Sequence, residues 1–297
     1  MSEKLFTPQG FEFYGKVNLL KAGIIYSDRV TTVSPQYAKE VQTKKFGCGL
    51  EGVLKERYDG VVGILNGLDR DVWNPQTDRL IAKRYSINDF ADAKLINKTR
   101  LQKELGLKVG KDIPLFGFVG RLSHQKGIDL IIESARELVK MNAQLVVLGL
   151  GENQYEDQLK GLVSSYPRNV TAHFDFNDPL GHRIYAGSDF FLMPSRFEPC
   201  GLTQMIGLYY GAIPIVYKTG GLVDTVKPFN ALHGGGNGFV FTRYTKASFV
   251  NAIKNALAVF KQEEKLDHVR RNALHADFSW ANSARKYQDI YNNVMQQ

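Results

Sequence analysis

From about Ile113 to Thr242 the chain alternates short apolar runs with amphipathic stretches, and no other feature narrows the choice of fold so far. The candidate strands are Leu115–Val119, Gln144–Leu148, Val170–Phe176, Phe190–Met193, Ile213–Tyr217 and Gly238–Phe241. Runs of this length read as buried strands. Between them, Ile128–Val139, Asn153–Ser164, Pro179–Ala186 and Leu202–Tyr210 carry helical spacing. Sustained strand–helix alternation predicts an α/β fold, a doubly wound parallel sheet with helices on both faces. Three helices are predicted to close the chain, Lys246–Phe260, Glu263–His275 and Trp280–Val294. In such a sheet ligands bind beyond the carboxyl ends of the strands, so the loops after strands are where chemistry is expected.

Three of those loops carry suitable residue types. The run PSRFEPCGLTQ, Pro194–Gln204, leads from the strand Phe190–Met193 into a helix with Met205, Leu208 and Tyr209 on one face. Glu198 supplies a carboxylate there, Pro199 suits a helix opening, and Gly201 permits close backbone approach. The N–H groups of Leu202 and Thr203, at the helix start, would attract anions. The loop within GFVGRLSHQKGIDLI, Gly117–Ile131, carries Arg121 and Lys126 at a spacing that lets both converge on one anion. Arginine's planar fork suits phosphate oxygens. Phe176 ends the strand that begins at Val170. Together these groups would hold a phosphorylated, ring-bearing donor. Taken singly, each has an ordinary reading: a solvated glutamate at a strand–helix joint, two surface cations, a core phenylalanine.

The 297 residues, 43% hydrophobic and 23% charged, are enough for a real core and exclude a disordered or fibrous chain. A net charge of +8 favours anions. The cations are scattered, as in KNALAVFKQEEK, with no nucleic-acid reader motif. Cys48 and Cys200 make no disulfide framework and point to a reducing compartment. Nothing near Cys200 implies a nucleophilic thiolate. The histidines show no metal-ligand spacing, so no metal and no cofactor are expected. No apolar run approaches the ~20 residues of a membrane span, and the N-terminus lacks a secretory pattern. A cytoplasmic protein without membrane or nucleic-acid partners is the expectation.

The first part of the chain is organised differently. Val17–Tyr26 and Pro35–Thr43 read as helices, Arg29–Val33 and Gly60–Leu65 as strands. Charged, aperiodic sequence over 69–95 reads as a linker, and Ile96–Leu105 as a helix packing on the strand–helix region. The expected divisions are therefore 1–68, 69–95, 96–276 and 277–297. Trp280, Ala284, Tyr287, Ile290, Tyr291 and Val294 recur at helical spacing, so the last helix is expected to pack back toward the first part. Two short strands cannot make a doubly wound sheet of their own.

Several motifs, in order, carry a family resemblance. They are FYGKVNLLKAGIIYSDRVTTVSPQYAKE (Phe13–Glu40), ILNGLDRDVWNP (Ile64–Pro75), VGRLSHQKGIDLI, PSRFEPCGLTQ, TGGLVDTV (Thr219–Val226) and FSWANSARKYQDIY (Phe278–Tyr291). From about Phe11 onward the chain resembles the C-terminal part of bacterial glycogen synthases and plant-type starch synthases. These are retaining glucosyltransferases that extend α-1,4-glucan from ADP-glucose. The resemblance implies a GT-B arrangement of two Rossmann-like domains, with the donor-binding domain complete and 1–68 a remnant of the N-terminal, acceptor domain. The stretch that carries the family's N-terminal Lys-Thr-Gly-Gly motif has no counterpart. Lys218–Leu222 spells KTGGL but comes after the fifth strand, and it corresponds to the family's C-terminal glycine loop.

The resemblance also implies roles. Arg121 and Lys126 match the diphosphate-binding pair, and Glu198 the carboxylate that contacts the donor sugar. Phe176 falls near the adenine, where stacking and a core role both remain open. Asn66, in NGLD, matches a sugar contact, although Asn-Gly is ordinarily a turn. Cys200, Gly201, Leu202 and Thr203 would line the donor site. Asp175 stands where the family more often has glycine. Eight residues past Glu198, Ile206 replaces the second glutamate of many relatives. That substitution argues against paired carboxylates and for front-face substitution driven by leaving-group stabilisation. Three readings are open: a glucan synthase present as its donor half and weakly active or inactive alone, a nucleotide- or glucan-binding module, and one subunit of a split enzyme whose second chain supplies the other half. ADP-glucose and glycogen or starch are the expected partners, in a plastid if the source is a plant or alga.

Overall fold

The computed structural model describes residues 3–57 and 59–296. The chain divides into two units, one formed by the residues up to Gly67 together with those from Trp280 onward, the other by Leu68–Ser279.

The first unit opens on a hairpin, β1 (Glu12–Phe13) with β2 (Lys16–Val17). Val17 belongs to that hairpin, so helix α1 (Leu19–Tyr26) starts later than its spacing suggests. Asn18 sets the start by accepting a bond from the Lys21 N–H. β3 (Val30–Thr32) lies parallel to β4 (Val61–Gly63), and α2 (Pro35–Glu40) and α3 (Glu51–Lys55) intervene. The C-terminal helix, Trp280–Met295, belongs here too: the Ser283 hydroxyl donates to the Leu65 carbonyl at 2.6 Å. Its apolar stripe is poorly covered. Ala284 and Tyr291 are exposed, and Tyr287, Ile290 and Val294 half-buried. A two-stranded sheet and short helices offer it little to pack on.

The second unit runs α4 (Phe90–Glu104), β5 (Leu115–Val119), α5 (Ile128–Lys140), β6 (Gln144–Leu148), α6 (Asn153–Ser165), β7 (Val170–His173) and α7 (Asp178–Gly187). It continues with β8 (Phe190–Met193), α8 (Thr203–Tyr209), β9 (Ile213–Tyr217), α9 (Gly220–Thr225), β10 (Phe239–Phe241), α10 (Lys246–Phe260) and α11 (Glu263–Leu274). The six strands pair in the order β10-β9-β8-β5-β6-β7, all parallel. Phe116, Val146, Phe190, Phe191 and Ile215 are fully buried, as strands covered on both faces require. The order reverses at β5, with β6 and β7 on one side and β8, β9 and β10 on the other. That is the topological switch point of a doubly wound sheet.

Three expectations for this unit need correction. β7 stops at His173, so Phe176 lies beyond the strand. The stretch 69–95 is no free linker. The Trp73 ring stacks on His182 at 4.0 Å between centroids, and His182 Nδ1 lies 2.7 Å from Asp78 Oδ2. The Tyr210 hydroxyl donates to the same oxygen at 2.7 Å, and the Tyr85 hydroxyl to the Tyr210 carbonyl at 2.7 Å. Helix α4 begins at Phe90 rather than Ile96, after a turn in which Asp89 accepts from Ser86. Its inner face mixes apolar Phe90, Ala93 and Leu101 with buried Lys94, Asn97, Lys98 and Gln102. Lys94 Nζ donates to the Ala186 and Tyr210 carbonyls at 2.9 and 3.0 Å, and Lys98 lies 2.7 Å from Asp189.

Candidate functional site

β5 and β8 are hydrogen-bonded neighbours at the centre of the sheet, so the loops after them leave from one edge. The Lys126 ammonium, in the β5 loop, lies 2.6 Å from Glu198 Oε2 in the β8 loop. The Ser195 hydroxyl donates to that same oxygen at 3.0 Å. Glu198 is 5% exposed, and Lys126 is half-buried. A buried carboxylate with a cation and a hydroxyl on one oxygen is held in place by complementary charge.

Backbone geometry makes the pairing possible at two glycine positions. Gly127 closes the turn carrying Lys126 at φ 73°, and a Cβ there would lie 2.1 Å from the Pro194 carbonyl oxygen. Gly220, opening α9 at φ 44°, would place a Cβ 1.9 Å from the Glu198 carbonyl oxygen. The Gly221 N–H donates to that carbonyl at 2.9 Å. Any L side chain at either position would force main chains apart. Three loops, after β5, β8 and β9, therefore meet backbone to backbone.

The other expected residues occupy more varied settings. Arg121 stands exposed at the start of the β5 loop, its guanidinium 3.4 Å from Gln125 Oε1. Cys200 is buried. Gly201, at φ 73°, and Leu202, 45% exposed, lead into α8, where Leu202 gives no side-chain cap to the first N–H groups. The Thr203 hydroxyl lies 3.1 Å from Met193 Sδ. Phe176 is 92% exposed, which excludes the core role left open for it. Asn177 holds its loop by capping α7 through the Leu180 N–H. Asn66 lies in the first unit, after β4, and is not among the groups assembled on Leu68–Ser279.

Two residues not singled out in the sequence prove to hold the loops. Ser195 is one. Gln204 is the other: its Nε2 donates to the Cys200 and Gly201 carbonyls and to Thr225 Oγ1 at 3.0, 2.9 and 3.1 Å. Both lie inside PSRFEPCGLTQ, so position in the motif was the available signal. Among the described residues, no three His, Cys, Asp or Glu side chains gather as metal ligands.

Sheet order and loop placement define the class, a doubly wound α/β protein of Rossmann type. The profile of the glycosyl transferases group 1 family matches residues 98–275, and that of the starch synthase catalytic domain residues 1–56. The chain belongs to the glycosyl transferases group 1 family. It is 49% identical over 284 residues to the glycogen synthase of Clostridium perfringens, covering 96% of this chain and 59% of that protein. For the glycogen synthase of Thermotoga maritima the identity is 44% over 298 residues, covering 99% and 61%. The solved catalytic domain of starch synthase IV from Arabidopsis thaliana, bound to ADP and acarbose, matches with a TM-score of 0.92 and 36% identity, over 99% of this chain and 62% of that one. HepE from Anabaena, in complex with UDP and glucose, shares the fold at a TM-score of 0.65 and 17% identity, over 93% of this chain and 66% of that one. The chain spans less than two thirds of the length of these glycogen and starch synthases.

Proposed function

We propose that this chain binds ADP-glucose through the switch-point loops of its second unit and serves retaining transfer of glucose to the non-reducing end of an α-1,4-glucan, glycogen or starch. The observation that carries the proposal is the Lys126–Glu198 pair at the switch point. Transfer from a nucleotide-sugar develops positive charge on the sugar and negative charge on the departing diphosphate, and fixed cations and N–H donors stabilise the latter. Lys126 and Arg121 serve the diphosphate, with the N–H groups of Leu202 and Thr203 at the helix start. Glu198, oriented by Ser195, faces the sugar. Phe176, free of the core, stacks on the base. The choice of ADP leans on the ADP-bound starch synthase relative. The role of Asn66 rests on the family resemblance alone. The reading needs neither metal nor cofactor, since side-chain cations supply the positive charge. We place the reaction in the cytoplasm. Among the described residues no helix is long and apolar enough to cross a membrane.

Calorimetric titration with ADP tests the site. Lys126→Ala should weaken binding by about tenfold or more, the scale of one lost charge-assisted contact. Identical binding by parent and variant would place the nucleotide elsewhere. Transfer of labelled glucose from ADP-glucose to glycogen tests turnover. ADP binding without transfer would favour the binding-module reading of this chain.

A further inference from the structure

Behind the Lys126–Glu198 pair lies a second set of side chains whose contacts close a triangle. Arg196, two residues before Glu198, puts Nη2 2.6 Å from Asp129 Oδ2, and its guanidinium lies 4.0 Å from the centre of the Tyr244 ring. The Tyr244 hydroxyl donates to Asp129 Oδ1 at 3.3 Å. Burial, then the Asp129 carboxylate, push the Tyr244 phenol above its ordinary range, so it remains a donor. The main-chain N–H of Arg196 also donates to the carbonyl of Gln125, the neighbour of Lys126, at 2.9 Å. Asp129 sits in the first turn of α5, directly after the turn that carries Lys126.

We propose that Asp129, Arg196 and Tyr244 are positioning residues that fasten the Glu198 loop to the start of α5 and thereby hold Lys126 where a nucleotide diphosphate meets it. The inference rests on the donor-binding reading above. One consequence separates it from simple electrostatics. Asp129 is a negative charge near an anion site, so neutralising it should, on charge alone, strengthen ADP binding. A strap predicts the reverse, because Arg196 loses its anchor and the loop loses its register against α5. Lysine should not replace Arg196, since the broad guanidinium reaches Asp129 with Nη2 while its carbon lies over the Tyr244 ring, and a compact ammonium offers no such second surface.

The test is calorimetric titration of the full chain with ADP, each variant first checked for an unchanged thermal transition. Asp129→Asn and Arg196→Ala should each weaken ADP roughly tenfold, as one charge-assisted contact would. Arg196→Lys should not restore binding, and Tyr244→Phe, which keeps the ring, should lose about twofold. In a Lys126→Ala background, Arg196→Ala should add less than about twofold, because coupled residues do not sum. Should a variant at Asp129 or Arg196 not fold, Tyr244→Phe with and without Lys126→Ala carries the same comparison. Asp129→Asn binding ADP as tightly as the parent or more tightly would overturn the proposal. So would full additivity of Arg196→Ala with Lys126→Ala, which would mean that Arg196 touches the phosphates itself. A parent chain that does not bind ADP overturns the donor reading, and this inference with it.

Discussion

On the proposed donor-binding reading, a diphosphate approaching Lys126 would compete with Glu198, whose carboxylate already sits 2.6 Å from the same ammonium. Glu198→Gln keeps the side chain's size and an oxygen for Ser195 but removes the competing charge. It should tighten ADP binding by roughly two- to fivefold, the scale of a partly exposed ion pair, whereas Lys126→Ala weakens it. Calorimetry on both variants checks the opposite signs; loss of affinity in both would mean that Glu198 maintains the loop's shape instead. The residues of this pair were legible from type and place, a cation and a carboxylate each just past a buried strand. Phe176 was not decidable, because an aromatic at a strand end suits a core or a base equally, and its exposure rules out only the core. Ser195 and Gln204 look like any polar loop side chains until the fold shows which oxygen each one faces.

At the level of elements, β5, β6, β8 and β9 were legible to the residue, since strands buried on both faces are nearly continuous apolar runs. α4 was not. Its buried face includes Lys94, Asn97, Lys98 and Gln102, so apolar periodicity misses its first two turns. Stretch 69–95 misled for the same reason, its inward groups being Asp78, Tyr85 and the Trp73–His182 stack. The turn between β5 and α5 yields a sharper expectation. Gly127→Ala must hold a left-handed φ of 73° and displace the Pro194 carbonyl 2.1 Å away. The left-handed conformation alone costs roughly 1–2 kcal/mol, and the clash adds to it. Urea unfolding should show a loss of at least about 2 kcal/mol, and the variant should bind ADP more weakly than the parent. An alanine variant of parental stability would mean that the β8 loop moves aside freely.

For the molecule as a whole, the same sheet that presents the site on one edge is tied at the other through Asp189. Its Oδ2 accepts from the Leu115 N–H at 2.9 Å and lies 2.7 Å from Lys98 Nζ, while Oδ1 lies 2.7 Å from Arg270 Nη2. Burial alone would raise the Asp189 pKa, but Lys98 and Arg270 outweigh it and hold the carboxyl below its ordinary value. A depressed folded-state pKa means that this contribution is fully present above the unfolded value, about 3.9, and disappears as pH falls through the lower folded value. Asp189→Asn leaves two buried cations unpaired and should cost about 3–5 kcal/mol near neutrality. Its stability should then vary less than the parent's below about pH 4, which denaturant titrations across pH will show. The contact between Lys126 and Glu198 joins residues 72 apart in the chain, in the loops that follow two strands paired at the sheet's centre. No local fragment can assemble the pair, because it needs both loops and the strand pairing that brings them to one edge. ADP should therefore slow amide hydrogen exchange not merely in the two loops but deep within β5 and β8. At a hundredfold excess over Kd the most protected amides should gain about 2.7 kcal/mol, so that ligand occupancy is recorded in the slowest-exchanging protons of the sheet.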